Sequence, residues 1–139
     1  MIVLDTTVLS ELLRVAPEPR VMEWLSEQPR ASVFTTTITR AQILYGIRVL
    51  PRGKRRDALW DAAIGIFDID LEGQVLAFDG VAADSCAEIS AARRATGRPI
   101  AQVDAQIAGI ARSRGARLAS RNIGDFDGCD IEVIDPWSP

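Results

Sequence analysis

A chain of 139 residues, 47% hydrophobic and 25% charged, is long enough to bury a core without disulfide or metal staples. Its net charge of −3 excludes a globally basic nucleic-acid binder, and the absence of histidine excludes Ser-His-Asp and Cys-His triads and His-ligated zinc. No apolar run approaches the roughly 18 residues of a membrane span, and no basic, cleavable leader opens the chain. The expectation is a single cytoplasmic domain over residues 1–139 with no membrane association.

Ile2 to Leu4 predicts a short buried strand that runs straight into Asp5. Thr6 to Arg14 follows as a helix with Val8, Leu9, Leu12 and Leu13 on one side. "PEPRVMEWLSEQP" predicts a second helix bounded by prolines, and the β-branched "ASVFTTT" a second strand. "TRAQILYGIRVL" is a third helix stopped by Pro51. Leu59, Ala63, Ile66 and Phe67 mark a fourth after the basic turn "PRGKRR", and "FDID" reads as a strand-to-loop region. "QVLAF" is strand-like, and Val81 to Thr96 is a fifth helix ended by Gly97. "PIAQVDAQIAGIARSRG" is a sixth, with Ile100, Val103, Ile107, Ile110 and Ala111 as its core stripe; "ARLAS" and "IEVID" close the chain as strands. Strands alternating with helices predict an α/β fold around a mostly parallel sheet.

Cys86 and Cys129 have no metal-ligand or redox spacing, and Cys86 falls on an apolar helical pattern that predicts a buried free thiol. Trp24, Trp60 and Tyr45 fall on apolar helical patterns and read as core, not as base-stacking platforms.

In such sheets the functional crevice lies beyond the carboxyl ends of the strands. Asp5 stands at one such end, where it could equally cap the next helix. Ser120, Arg121 and Asn122 follow "ARLAS" at another, with Asp125 one turn on. Asp104 lies in the first turn of the sixth helix, beside its apolar stripe. Asp104 could serve only the helix dipole, and Asp125 only a turn. Gathered at one edge, however, Asp5, Asp104 and Asp125 would repel one another and call for a cation. Hard oxygen ligands without histidine select Mg²⁺ or Mn²⁺. Arginines clustered at Arg48, Arg52, Arg55 and Arg56 with Lys54, and again at Arg93, Arg94 and Arg98, could hold phosphates or simply form solvated faces.

"IVLDTTVLSELL", "TTITRAQILYGIRVLP", "GRPIAQVDAQIAGIARSRGARLASRNIGDFDG" and "IEVIDPW", in that order and spacing, resemble PIN-domain ribonucleases of the VapC/FitB type, the toxin half of bacterial toxin–antitoxin pairs. The resemblance runs nearly end to end. It implies a three-layer α/β/α sandwich and a Mg²⁺- or Mn²⁺-dependent endoribonuclease acting on structured RNA such as tRNA. A homodimer is implied too, with a VapB/FitA-type antitoxin that covers the acidic pocket and through which the assembly binds operator DNA. Matched residue by residue, Asp5 and Asp104 take the places of family acids. Asn122 and Asp125 fill the variable fourth site in "RNIGDF", Ser120 replaces the usual threonine, and Thr7 stands where Asn or Ser is commoner.

Gln42 departs from the pattern, because "TRAQILYG" carries an amide where the family usually has glutamate. Ile38, Tyr45 and Val49 flank it at helical spacing, which predicts an amide on an apolar face. Losing one carboxylate predicts weaker ion binding and reduced activity. Two other functions stand beside this reading. One is a catalytically silent PIN module that binds antitoxin or RNA. The other is an Asp-nucleophile phosphotransferase of the haloacid-dehalogenase type, suggested by "LDTT" after a first strand but short of a suitable lysine, since Lys54 sits in a surface turn.

Overall fold

The computed structural model describes residues 1–139. Five strands form one sheet: β1 (Ile2–Leu4), β2 (Val33–Thr36), β3 (Val75–Leu76), β4 (Arg117–Ala119) and β5 (Val133–Ile134). Their spatial order is β3-β2-β1-β4-β5, and every adjacent pair is parallel. The helices are α1 (Thr6–Leu12), α2 (Pro19–Ser26), α3 (Thr37–Arg48), α4 (Lys54–Gly65), α5 (Gly80–Ala95) and α6 (Gln102–Ser113).

Alternation along β1 divides the core in two. Ile2 and Leu4 face Val8, Leu9, Val21, Ile43, Ile47, Ala63 and Phe67 from α1–α4 and the turn that follows α4. Val3 faces the opposite way, onto Ala82 and Ile89 of α5 and Ile107, Ala108 and Ile110 of α6. A strand buried on both faces must be apolar at every position, which is why β1 shows no polar alternation. The result is the expected sandwich of helices, parallel sheet and helices. No helix is long and apolar enough to cross a membrane.

Helices α5 and α6 lie close together because Gly109 has no side chain. A Cβ there would stand 2.7 Å from the Ala82 carbonyl oxygen and 2.9 Å from the Cys86 amide nitrogen. Backbone atoms cannot yield as a flexible side chain does, so Gly109→Ala should destabilise the fold by about 1–3 kcal/mol. A urea titration checks this through a lower midpoint at unchanged slope; an unchanged midpoint would mean that the helices part at no cost.

Several local expectations fail on burial. Cys86 is only half-buried, and the buried thiol is Cys129, which packs beneath α5 and α6. "FDID" is neither strand nor loop: residues Ile66–Asp70 form a π-helical turn that continues α4 and carries Phe67 into the core. Tyr45 is 66% exposed and Val49 63%, because the buried side of α3 is Thr39, Ile43 and Ile47. Gln42 is therefore exposed on the flank of α3, not set in an apolar face. Trp24 and Trp60 do pack against the core, as partly buried residues.

Candidate active site

Strand order runs outward from β1 to β2 and β3 on one side and to β4 and β5 on the other. The carboxyl ends of β1 and β4 thus flank the point where the winding reverses, the crevice in which open parallel sheets bind ligands. Asp5 leaves β1 there and Ser120 leaves β4. The Asp5 amide donates to the Ala119 carbonyl at 3.1 Å, which holds the two exits side by side.

Asp5 is both cap and site residue. Its Oδ1 accepts from the Thr7 and Val8 amides at 2.9 and 3.2 Å, closing the start of α1, and from the Thr7 hydroxyl at 2.5 Å. The Ser120 hydroxyl also hydrogen-bonds to this carboxylate, while accepting the Asn122 N–H at 3.0 Å. Burial pushes the Asp5 carboxyl above its ordinary range, and the bonds from Ser120, Thr7 and Val8 only partly offset that push. Threonines form the surrounding wall. The Thr35 hydroxyl donates to the Leu4 carbonyl, the Thr36 hydroxyl caps α3, and the Thr6 hydroxyl lies 3.2 Å from that of Thr39 while donating to Gln42 Oε1. Only Thr7 among these was marked from the sequence; the run "TTT" at the end of β2 is the signal for the rest.

Asp104 approaches from α6, half-buried. Burial raises its pKa first, then the charges of Asp125 and Asp5; Arg93 alone acts in the other direction. Asp104 thus lies within electrostatic reach of both Asp5 and Asp125. Asp125 lies in a short 3-10 turn (Ile123–Phe126) that the Arg93 guanidinium fixes through the carbonyls of Asp125 and Asp127 at 2.8 and 3.0 Å. Arg93, buried and fully engaged, is thus a structural clamp and no phosphate grip. Asn122 is exposed at the same turn, and Gln42 stands at the rim beside Thr6.

Three acidic side chains do not converge at ligand distance here. The chemistry of the donor set nevertheless fits a small hard cation. Asp104 draws no stabilising hydrogen bond from the protein, and of the charges that reach it two, Asp125 and Asp5, are anions and one, Arg93, is a cation. Mg²⁺ keeps several waters and commonly uses only one or two carboxylates, so a loose set is compatible with it.

The basic segment divides between two faces. Arg55 joins Thr6, Gln42, Ile43, Ile47, Leu13 and Leu59 around a groove of about 830 Å³ that opens from the site. Arg48, Arg52 and Arg56 surround a separate pocket of about 580 Å³, with the Arg48 guanidinium 4.3 Å from the centre of the Trp60 ring. Lys54 begins α4, exposed.

The PIN-domain family model matches residues 2–128. The chain belongs to the PIN-domain family. It is 34% identical over 139 residues to VapC ribonuclease Y4jK of Sinorhizobium fredii, covering 100% of this chain and 99% of that one. To Toxin FitB of Neisseria gonorrhoeae it is 34% identical over 137 residues, with 99% of each chain covered. A solved structure of FitAB bound to the IR36 DNA fragment superposes with a TM-score of 0.93 at 33% identity, over 100% of this chain and 97% of that one. VapC/FitB-type PIN proteins are thus its kin, and the dehalogenase-type alternative falls away.

Proposed function

We propose that this PIN domain is the toxin of a toxin–antitoxin pair and acts as a Mg²⁺- or Mn²⁺-dependent endoribonuclease. The observation that carries this reading is Asp104, half-buried in α6, whose pKa is raised first by burial and then by the charges of Asp125 and Asp5, with Arg93 the one opposing cation. Asp5, Asp104 and Asp125 would hold the ion. When bound, such an ion lowers the pKa of water and neutralises developing charge on a phosphodiester. Thr7 and Ser120 hold the Asp5 carboxylate in place, and the Arg93 clamp fixes the backbone of the turn that carries Asp125. Asp5 is buried and Asp104 half-buried, and the pKa of each is raised, so protons compete with an ion more strongly there than at ordinary carboxylates and ion affinity should grow as pH rises.

The groove beside Gln42 suits an amphipathic antitoxin segment of the VapB/FitA type. Its Ile43, Ile47 and Leu59 offer apolar contacts, and Arg55 offers a counter-charge. On this reading the toxin is a homodimer, and the antitoxin carries the assembly to operator DNA. Structured RNA, with tRNA the first candidate, reaches the acids across the basic face. The test is tRNA cleavage in Mn²⁺ that stops on chelation; tRNA left intact both by this chain and by Gln42→Glu would contradict the reading. Gln42 favours one alternative, a silent module that binds antitoxin or RNA without cutting. Its signature would be tight antitoxin binding with RNA left intact by this chain and cleavage only after Gln42→Glu restores the acid.

Arg48, Arg52 and Arg56 share one face and are assigned to the RNA backbone. Replacing all three with methionine should lower the slope of log affinity against log salt by about 2 for a single-stranded contact. An unchanged slope would return these arginines to the role of a solvated face.

A further inference from the structure

Arg121 lies between Ser120 and Asn122, both at the carboxyl end of β4, and is exposed. Its amide donates to the Thr7 hydroxyl at 3.0 Å, and that hydroxyl donates to Asp5 at 2.5 Å. Two hydrogen bonds therefore fix its backbone to the central acid. An arginine so placed would ordinarily close onto the carboxylates. Here the guanidinium instead lies over the Trp137 ring, 5.2 Å from its centre. Arg98 has Asp127 as counter-ion, and Arg93 is spent on carbonyls. Arg121 has an aromatic face and no protein anion.

The platform is itself anchored. The Trp137 amide donates to Asp135 Oδ1 at 2.9 Å, its carbonyl accepts from Arg20 at 3.5 Å, and its ring packs against the core. Its side chain also hydrogen-bonds to Glu11, a carboxylate only 4% exposed. Burial pushes the Glu11 carboxyl up, but the Glu18 amide at 3.1 Å, Arg14 at 3.0 Å and Trp137 outweigh it and hold it below the usual range. The Glu11 charge is held chiefly by Arg14 and the Glu18 amide, with the Trp137 side chain as a third, weaker partner.

We infer that Arg121, held against Trp137, contacts a phosphate of the RNA bound at the acidic site, and that Trp137 is its positioning residue. The inference rests on the ribonuclease reading. A planar guanidinium stacked on a ring keeps its donor edge free and pre-aimed, so little side-chain freedom is lost when it takes two phosphate oxygens. Its stacking away from the acids also leaves them free to hold an ion.

The experiment uses the full chain with Asp5→Asn as the non-cutting parent, and fluorescently labelled tRNA titrated across a salt series. Arg121→Met should bind about tenfold more weakly at low salt, with a log–log slope smaller by about 0.7 to 0.9, one phosphate's share. Trp137→Leu should reproduce most of that loss, and Trp137→Phe, which keeps a ring face, should restore it. Arg94→Met, an exposed arginine on α5, should leave the slope unchanged. A purely structural role for Arg121 or Trp137 would shift thermal stability and leave the slope alone. If the parent binds tRNA and Arg121→Met binds it with the parent's slope, the inference is overturned and the ribonuclease reading stands. If the parent shows no salt-dependent binding at all, both are overturned.

Discussion

Asp5→Asn is expected to abolish RNA cleavage, by at least about 100-fold, while leaving the fold nearly as stable as before. Loss of even an outer partner of a metal ligand commonly costs about 10–100-fold, and a ligand itself should cost at least as much. Stability survives because this side chain is also a helix cap. Asparagine caps a helix about as well as aspartate does, so the bonds from the Thr7 and Val8 amides survive. The substitution also removes a buried charge whose carboxyl is already pushed upward. Asp5→Ala would separate the roles differently, losing activity and the cap together at an added cost of about 0.5–2 kcal/mol. Cleavage assays and urea titrations on both variants provide the check. Full activity in Asp5→Asn would reduce Asp5 to a capping residue and nothing more.

Gln42→Glu is the second large effect, and its sign depends on metal. Gln42 is exposed at the rim, with its carbonyl accepting from Thr6. A carboxylate there can keep that bond and add a fourth negative charge near Asp5, Asp104 and Asp125. Without metal the added repulsion should lower thermal stability slightly, by less than about 1 kcal/mol. With Mn²⁺ the same charge should tighten ion binding by about tenfold and raise stability in proportion to occupancy. Cleavage should rise with it. Thermal unfolding with and without Mn²⁺ reads both signs in one experiment. A variant stabilised in the absence of metal, or indifferent to it, would separate Gln42 from the ion site.

The sequence makes the architecture legible because β1 announces itself. Ile2, Val3 and Leu4 have no polar member, and a strand buried on both faces admits none. Alternating strands and helices then leave few options besides a parallel sheet with helices on either side. Asp5, Asp104 and Asp125 are legible as acids near strand ends and at a helix start, and the charges of Asp5 and Asp125 both reach Asp104, although the three side chains do not converge at ligand distance.

What stayed hidden depended on partners distant in the chain. On α3 the apolar pattern Ile38, Tyr45 and Val49 suggested a buried face around Gln42. The face that packs is Thr39, Ile43 and Ile47, because a threonine whose hydroxyl finds Thr6 can be buried like a small apolar residue. Glu11 is charged and yet buried, since Arg14 and the Glu18 amide satisfy it and Trp137 lies beside it. Arg93 belongs to a basic run and is a clamp, because two of the carbonyls it serves are more than thirty residues away in sequence. Periodicity reports which side chains are apolar; it does not report which polar ones have found partners.

The central claim is that the acids at the β1–β4 switch point form a divalent-ion site. Its most direct test is a Mn²⁺ titration of the ¹⁵N-labelled chain followed by NMR, at substoichiometric ion. The amide signals of Leu4 to Val8, Val103 to Ala105 and Ser120 to Asp125 should broaden first and together, and the effect should vanish in Asp5→Asn/Asp104→Asn. Broadening that begins elsewhere, or that survives the double substitution, would place the ion away from these acids and contradict the account.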